Sequence, residues 1–252
     1  MTKIALVTGA TSGIGKATAY KLSKLGFCLI LTGRRKERLA ELADELISSG
    51  TKVHVLSFDI QKRAQVENAI DGLPSEWKAI DVLVNNAGLA AGKDAIQDGD
   101  IDNWERMLDT NVKGLLYISR RIMPLMVANK KGHIINIGST AGREVYPGGN
   151  VYCASKHAVD AISKGMRIDL VEHGIKVTQI RPGLVETEFS LVRFNGDSAS
   201  AKKVYSDIEP LIGDDVAETI GFAVSLPKHV CINDLEVTCT AQATSTIVNR
   251  KQ

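Results

Sequence analysis

The sequence predicts a doubly wound α/β fold in one domain, on three observations. Short β-branched apolar runs alternate with helical stretches, a glycine-rich turn follows the first run, and no linker, low-complexity tract or repeat divides the chain. Near-continuous apolar runs suit parallel strands buried on both faces. Strand–helix–strand repetition joins such strands by right-handed crossovers and lays helices on both sides of the sheet.

Ile4-Ala5-Leu6-Val7 is the first run, followed by Cys28-Leu29-Ile30-Leu31, Val53-His54-Val55-Leu56, Val82-Leu83-Val84, Ile134-Ile135-Asn136-Ile137 and Val177-Thr178-Gln179-Ile180. Between the second and third, Leu39, Leu42, Ala43, Leu46 and Ile47 recur at helical spacing, with charged residues mostly opposite. This predicts an amphipathic helix ending near Gly50. A helix is also predicted from about Asn150 to Glu172. Residues 1–252 read as a single domain, in which 189–210 differs in texture: it carries Asn195-Gly196-Asp197, four serines and no strand pattern. Late insertions of this kind form lids over sites.

Composition narrows the function classes. At 44% hydrophobic and 24% charged residues, the 252-residue chain reads as a globular protein able to bury a full core. A net charge of +2 gives no electrostatic reason to expect nucleic acid or an anionic membrane as partner. Cys28, Cys153, Cys231 and Cys239 fall in no metal-ligand or CxxC spacing, and the five histidines form no metal-binding cluster. Reduced thiols in a cytoplasm, no metal, and neither an export signal nor a membrane span are the expectations.

Thr8 to Gly15 follows the first strand and opens a helix, the context of a Rossmann-type phosphate-binding turn. Gly9, Gly13 and Gly15 let backbone amides, with those of Thr11, Ser12 and Ile14, approach a pyrophosphate at the positive helix end. A tight turn with no ligand is the competing reading. At the end of the second strand, where an NAD site sets a carboxylate, the chain reads Gly33-Arg34-Arg35. Two guanidiniums can bind a 2′-phosphate, so NADP(H) is the expected cofactor; a solvated basic start to the next helix is the alternative. After the third strand, Asp59 and Ile60 are candidates for the adenine, with a helix N-cap as the other reading of Asp59.

Tyr152 and Lys156 stand four residues apart on one predicted helical face. A phenol titrates near 10, too high for ready proton exchange at neutral pH, and a neighbouring ammonium favours the phenolate. Spacing alone proves little, because Tyr20 and Lys24 show the same step. Position separates the pairs: Tyr152 follows the fifth strand, whose end reaches the ligand crevice and carries Ser139, whereas Tyr20 lies on a helix that packs on the sheet.

Six ordered motifs identify a family. The glycine loop, Asn85-Asn86-Ala87-Gly88, Asp109-Thr110-Asn111, Ser139, the Tyr152/Lys156 pair and Arg181-Pro182-Gly183 together resemble the short-chain dehydrogenase/reductase family, in its classical subgroup. Separately, Asn86 reads as a turn residue, Asn111 as a helix-kink residue, Ser139 as a strand-end hydroxyl and Pro182-Gly183 as a plain turn. The resemblance implies a tetrad: Ser139 polarises the carbonyl, Tyr152 exchanges the proton, Lys156 lowers the Tyr152 pKa and holds the nicotinamide ribose, and Asn111 keeps a relay water. It further implies that Asn86 supports the cofactor and that Pro182, Gly183, Val185 and Thr187 border the nicotinamide. A homotetramer assembled through the Tyr152 helix is implied as well.

Longer stretches, including Gly148 to Tyr152, Gly183 to Phe189 and Leu226 to Val230, resemble the branch of NADP-dependent 3-hydroxy acid dehydrogenases that oxidise serine and allo-threonine. A short acid requires a cation: Arg193, in the lid segment, is the first candidate and Arg143 the second. Sulfoacetaldehyde reduction within the same branch, ketoacyl reduction with Arg120 and Arg121 facing an acidic carrier, and a non-catalytic NADP sensor are the alternatives. A sensor has no need to keep Asn111, Ser139, Tyr152 and Lys156 together.

Overall fold

The strands follow the chain as β1 (Lys3–Thr8), β2 (Phe27–Gly33), β3 (Val53–Ser57), β4 (Ile80–Asn85), β5 (His133–Ile137), β6 (Lys176–Pro182), β7 (Val185–Glu186), β8 (Leu211–Ile212) and β9 (Asp234–Val237). The computed structural model describes residues 3–250, so both ends of the expected 1–252 domain lie outside the described residues. The helices are α1 (Gly13–Lys24), α2 (Lys36–Ser48), α3 (Arg63–Asp71), α4 (Ile101–Leu108), α5 (Leu115–Asn129), α6 (Asn150–Leu170), α7 (Glu188–Arg193), α8 (Ser198–Lys203) and α9 (Gly213–Ser225).

Seven strands pair in parallel in the order β3-β2-β1-β4-β5-β6-β9, and β7 and β8 form a separate two-stranded piece. The chain reverses its direction of sheet growth between β1 and β4, which opens a crevice beyond their carboxyl ends. This is the doubly wound, Rossmann-type single domain that the alternating runs predict. All six predicted runs are strands of the main sheet; β9 completes it.

Strand pleating sends successive side chains to opposite faces, and the core divides accordingly. Ile4, Leu6, Ile30, Leu83 and Ile134 pack with Val66, Ile118, Ile122, Val159 and Met166 of α3, α5 and α6. Ala5, Val7, Leu29, Leu31, Val84 and Ile135 pack on the other face with Leu22, Leu39, Leu42, Leu46, Val216 and Ile220 of α1, α2 and α9. The amphipathic 36–48 stretch thus forms α2, with Leu39, Leu42 and Leu46 buried. Tyr20 donates to Glu45 on α2 while Lys24 is exposed, so the first Tyr–Lys pair works in helix packing.

Two of the buried polar features within this core bear on its assembly and stability. Asn85 Nδ2 donates to Asn136 Oδ1 (2.8 Å) and to Ser119 Oγ (2.9 Å), and Asn136 Nδ2 donates to Ser163 Oγ (2.9 Å), tying β4, β5, α5 and α6 together. His133 on β5, hydrogen-bonded through Nε2 to Thr178 Oγ1 (2.7 Å), is held neutral: burial, aided by the Lys176 charge, pushes its pKa down to about 3. The unfolded chain takes up that proton below about pH 6.5. Stability from this residue is therefore complete above pH 6.5 and lost as pH falls towards 3, by roughly 5 kcal/mol at the limit. His133→Gln is expected to flatten the acid limb of urea-unfolding stability between pH 6.5 and 4; parallel limbs would overturn the assignment.

Candidate active site

A cavity of about 1280 Å³ runs over the carboxyl ends of β1, β2, β4, β5 and β6. One end is built by the glycine loop. Gly9 adopts φ of +65°, in the left-handed region that favours glycine. Ser12 precedes α1 without capping it, so the first-turn amides of that helix keep no side-chain partner. Asn86 braces the loop from β4 by donating through Nδ2 to Thr8 O (2.9 Å) and Gly9 O (3.1 Å).

Arg35 turns back onto this loop. Its guanidinium donates to Thr11 Oγ1 (2.8 Å from Nη2, 3.0 Å from Nε) and to Ser12 Oγ (2.7 Å), which accounts for the uncapped serine. Arg34 is exposed, lines the same cavity and has no hydrogen-bond or ion-pair partner among the described residues. Asp59 and Ile60 line the cavity beside it. The helix that follows begins at Arg63 with Lys62 as its cap, while the Asp59 carboxylate accepts from Gln61 N (3.1 Å). The N-cap reading of Asp59 is thereby corrected: the chain makes an Asx turn first, which moves the helix start three residues on.

At the other end lie Ser139, Tyr152 and Lys156, all buried. Ser139 Oγ accepts from Ala141 N (3.1 Å), and its hydroxyl, which lines the cavity, is a hydrogen-bonding neighbour of the Tyr152 phenol. Tyr152 and Lys156 share one face of α6, with Lys156 Nζ 5.9 Å from the phenol ring centroid. Nζ donates to Ile137 O (2.9 Å). In this state burial dominates both groups. It drives the Tyr152 phenol well above its usual value, with neighbouring Tyr146 adding to the shift while Ser139 and Arg193 oppose it, and it pushes Lys156 down to about 8.

Asn111 sits in a π-helical turn, Asp109–Gly114, between α4 and α5. Such turns break the α-helical register and concentrate at functional sites. Its amide is locked: Oδ1 accepts from Leu89 N (2.8 Å), and Nδ2 donates to Leu89 O (2.8 Å) and Ser155 Oγ (3.0 Å). Both donors are used, so the side chain keeps only acceptor capacity for a water. Gly88 separates it from Lys156: a Cβ there would lie 3.2 Å from Asn111 Oδ1 and 3.7 Å from Lys156 Nζ. The missing side chain keeps that gap open.

Pro182, Gly183, Val185 and Thr187 also line the cavity, and Thr187 packs against Gly13 of the glycine loop. Thr187 caps α7 by accepting from Phe189 N (3.2 Å), and Phe189 covers Tyr152 edge-on with ring centroids 5.7 Å apart. The predicted lid segment contains α7 from Phe189 onward, α8 and the turn before β8.

The two arginines proposed for a substrate acid part company. Arg193, the last residue of α7, lies with its guanidinium carbon 5.8 Å from the Tyr152 ring centroid. It donates to Tyr146 OH (3.0 Å) and Gly92 O (3.2 Å), while its buried Nη2 has no partner. Arg143 is not brought to the cavity: the short turn Thr140–Gly142 directs it outward, where it faces Asp234 (3.5 Å) and Glu236 (3.9 Å) of β9. Sequence reading missed Tyr146, which carries no motif, and Glu188, which holds Arg35 (2.7 Å) and Arg38 (2.6 Å) from α7. No group of three or more His, Cys, Asp or Glu able to hold a metal occurs among the described residues. No helix of those residues is long and apolar enough to cross a membrane.

Known proteins resemble the chain over nearly its whole length. Sulfoacetaldehyde reductase 2 of Chromohalobacter salexigens is 46% identical over 246 residues, covering 97% of both chains. The NADP-dependent 3-hydroxy acid dehydrogenase YdfG of Escherichia coli K12 is 47% identical over 241 residues, 95% of this chain and 96% of that protein. The closed form of serine dehydrogenase complexed with NADP⁺ superposes with a TM-score of 0.93 at 46% identity, over 99% of this chain and all of the other. Residues 3–195 match the family model for short chain dehydrogenase. With that match over most of its length, the glycine loop at one end of the cavity and Ser139, Tyr152 and Lys156 at the other, the chain belongs to the short chain dehydrogenase family.

Proposed function

We propose that the protein interconverts a short 3-hydroxy acid, of the serine, allo-threonine, 3-hydroxypropionate or 3-hydroxyisobutyrate type, and its carbonyl form, with NADP(H) as cofactor. The observation that carries the substrate class is the buried, unpartnered Nη2 of Arg193 beside Tyr152. A buried donor without a partner is costly, and a carboxylate would satisfy it with a charge-assisted bond.

The cavity fits the cofactor. The uncapped start of α1 and the left-handed Gly9 turn offer backbone amides to a pyrophosphate, and the unpartnered Arg34 beside Arg35 offers charge to a 2′-phosphate. Asp59 and Ile60 face the adenine end, Asn86 braces the loop, and Pro182, Gly183, Val185 and Thr187 face the nicotinamide end. When bound, NADP(H) would supply the hydride for carbonyl reduction and take it back in the reverse direction. Ser139 donates a hydrogen bond to the substrate oxygen and so orients the carbonyl. Tyr152 passes its phenolic proton to that oxygen as the carbon is reduced, and takes one from the alcohol in the other direction. Lys156, with two N–H groups left after its bond to Ile137 O, holds the ribose and offers positive charge to the phenolate. Asn111 fixes the turn that borders the relay water between it and Lys156.

Relatives of almost equal identity favour a second reading, sulfoacetaldehyde reduction, because a sulfonate would accept the same Arg193 donors. A screen of the purified enzyme against 3-hydroxy acids, sulfoacetaldehyde and ketoacyl thioesters with NADP(H) separates them. Turnover confined to ketoacyl thioesters would overturn both acid readings, and no turnover at all would favour a sensor. Arg193→Ala should raise KM for the acids by roughly ten- to hundredfold, as loss of a charged hydrogen-bonding partner does, and spare neutral carbonyls. A uniform loss across both substrate types would remove Arg193 from acid recognition. The exposed Ile168 of α6 and neighbouring Val171 support assembly through this helix, and with it the homotetramer; the absence of paired cysteines favours a cytoplasmic setting.

A further inference from the structure

Glu188 is a carboxylate at a phosphate-binding surface. Its Oε2 pairs with Arg35 Nη1 (2.7 Å) and its Oε1 with Arg38 Nη1 (2.6 Å), so both oxygens are spent on guanidiniums that begin the segment after β2. The Arg35 bond, then that to Arg38, holds the carboxyl below its usual range, keeping it charged at neutral pH. Arg35 has little spare capacity, because its other edge is committed to Thr11 and Ser12. A phosphate dianion arriving between Arg34 and Arg35 meets a like charge within the same cluster, and like charges at such range repel.

The second observation is where Glu188 sits. It is the first residue of α7, and Arg193, which points at Tyr146 and Tyr152, is the last. One short helix therefore touches the candidate 2′-phosphate subsite with one end and the candidate acid subsite with the other.

We propose that Glu188 is a specificity-determining residue: an internal carboxylate that stands in for the 2′-phosphate on Arg35 and Arg38, yields to it on binding, and thereby frees α7. This rests on the reading of Arg34 and Arg35 as the 2′-phosphate clamp. Cofactor binding and the placement of Arg193 are then linked, because the ligand that displaces Glu188 loosens the helix bearing Arg193.

The test uses probes without a nicotinamide: adenosine 2′,5′-bisphosphate and adenosine 5′-monophosphate, titrated calorimetrically into the full-length protein. Glu188→Gln keeps the shape and removes the charge at a half-exposed side chain. It should bind the bisphosphate roughly three- to tenfold more tightly than wild type, as expected from releasing two partly exposed ion pairs, with monophosphate affinity unchanged. In wild type, the bisphosphate should also speed amide hydrogen exchange across 189–193; in the variant these amides should exchange fast already. Equal bisphosphate affinity in the two proteins, or exchange in wild type that ignores the bisphosphate, would overturn the latch while leaving the clamp standing. If wild type binds the two probes alike, the clamp falls and the latch with it.

Discussion

Tyr152→Phe is expected to lower kcat by at least about a hundredfold, the scale of a lost general acid, while NADPH affinity stays within a few fold. The variant keeps the ring that packs edge-on against Phe189 and loses only the hydroxyl. Burial makes this hydroxyl a reluctant acid in the free protein, and Ser139 and Arg193 pull in the opposite direction. The same burial brings Lys156 down to about 8, so the unliganded site resists separated charge on both residues. Proton exchange through Tyr152 therefore depends on positive charge supplied when the site is filled. Steady-state turnover with NADPH fluorescence titration checks the expectation, and unchanged turnover would remove Tyr152 from the chemistry.

Gly15→Ala should weaken NADPH binding by roughly ten- to hundredfold, and it reaches the cofactor without touching a charge. A Cβ at this position would lie 2.3 Å from Gly9 O and 2.5 Å from Asn86 Nδ2. Neither neighbour is the free end of a flexible chain: one is loop backbone, and the other is tied to Thr8 O and Gly9 O. The loop must move, and its amides then no longer converge on one phosphate. Fluorescence titration alongside far-ultraviolet circular dichroism separates loss of the site from loss of the fold; full affinity in a folded variant would refute the close-packing argument.

Much of this was legible in sequence because it depends on local pattern. Buried parallel strands announce themselves as apolar runs, and the order of motifs distinguishes Tyr152 from Tyr20. What escaped depends on pairing across the fold. Strand β9 reads Asp-Leu-Glu-Val, an alternation at the edge of the sheet that lacks the apolar continuity of the central strands. Arg143 lies close to Ser139 in sequence and Arg193 far from it, yet the turn at Thr140–Gly142 sends the nearer one to Asp234 and Glu236. Tyr146 and Glu188 acquire their parts only from the guanidiniums they meet, and no spacing rule encodes either meeting.

The buried amide pair of Asn85 and Asn136 has a consequence for the accuracy of assembly. These residues stand opposite each other in the β4–β5 register, and each is followed within three positions by site residues: Asn86 after one, Ser139 after the other. A slip of one residue would turn Asn136 towards the opposite face of the sheet, away from Asn85 and Ser163, and shift Ser139 by about 3.3 Å along the strand. The mispaired chain is thus penalised at the core before it can present a misplaced hydroxyl at the crevice. Two asparagines remote from any substrate act as a proofreading device, coupling correct strand alignment to the geometry of the chemistry.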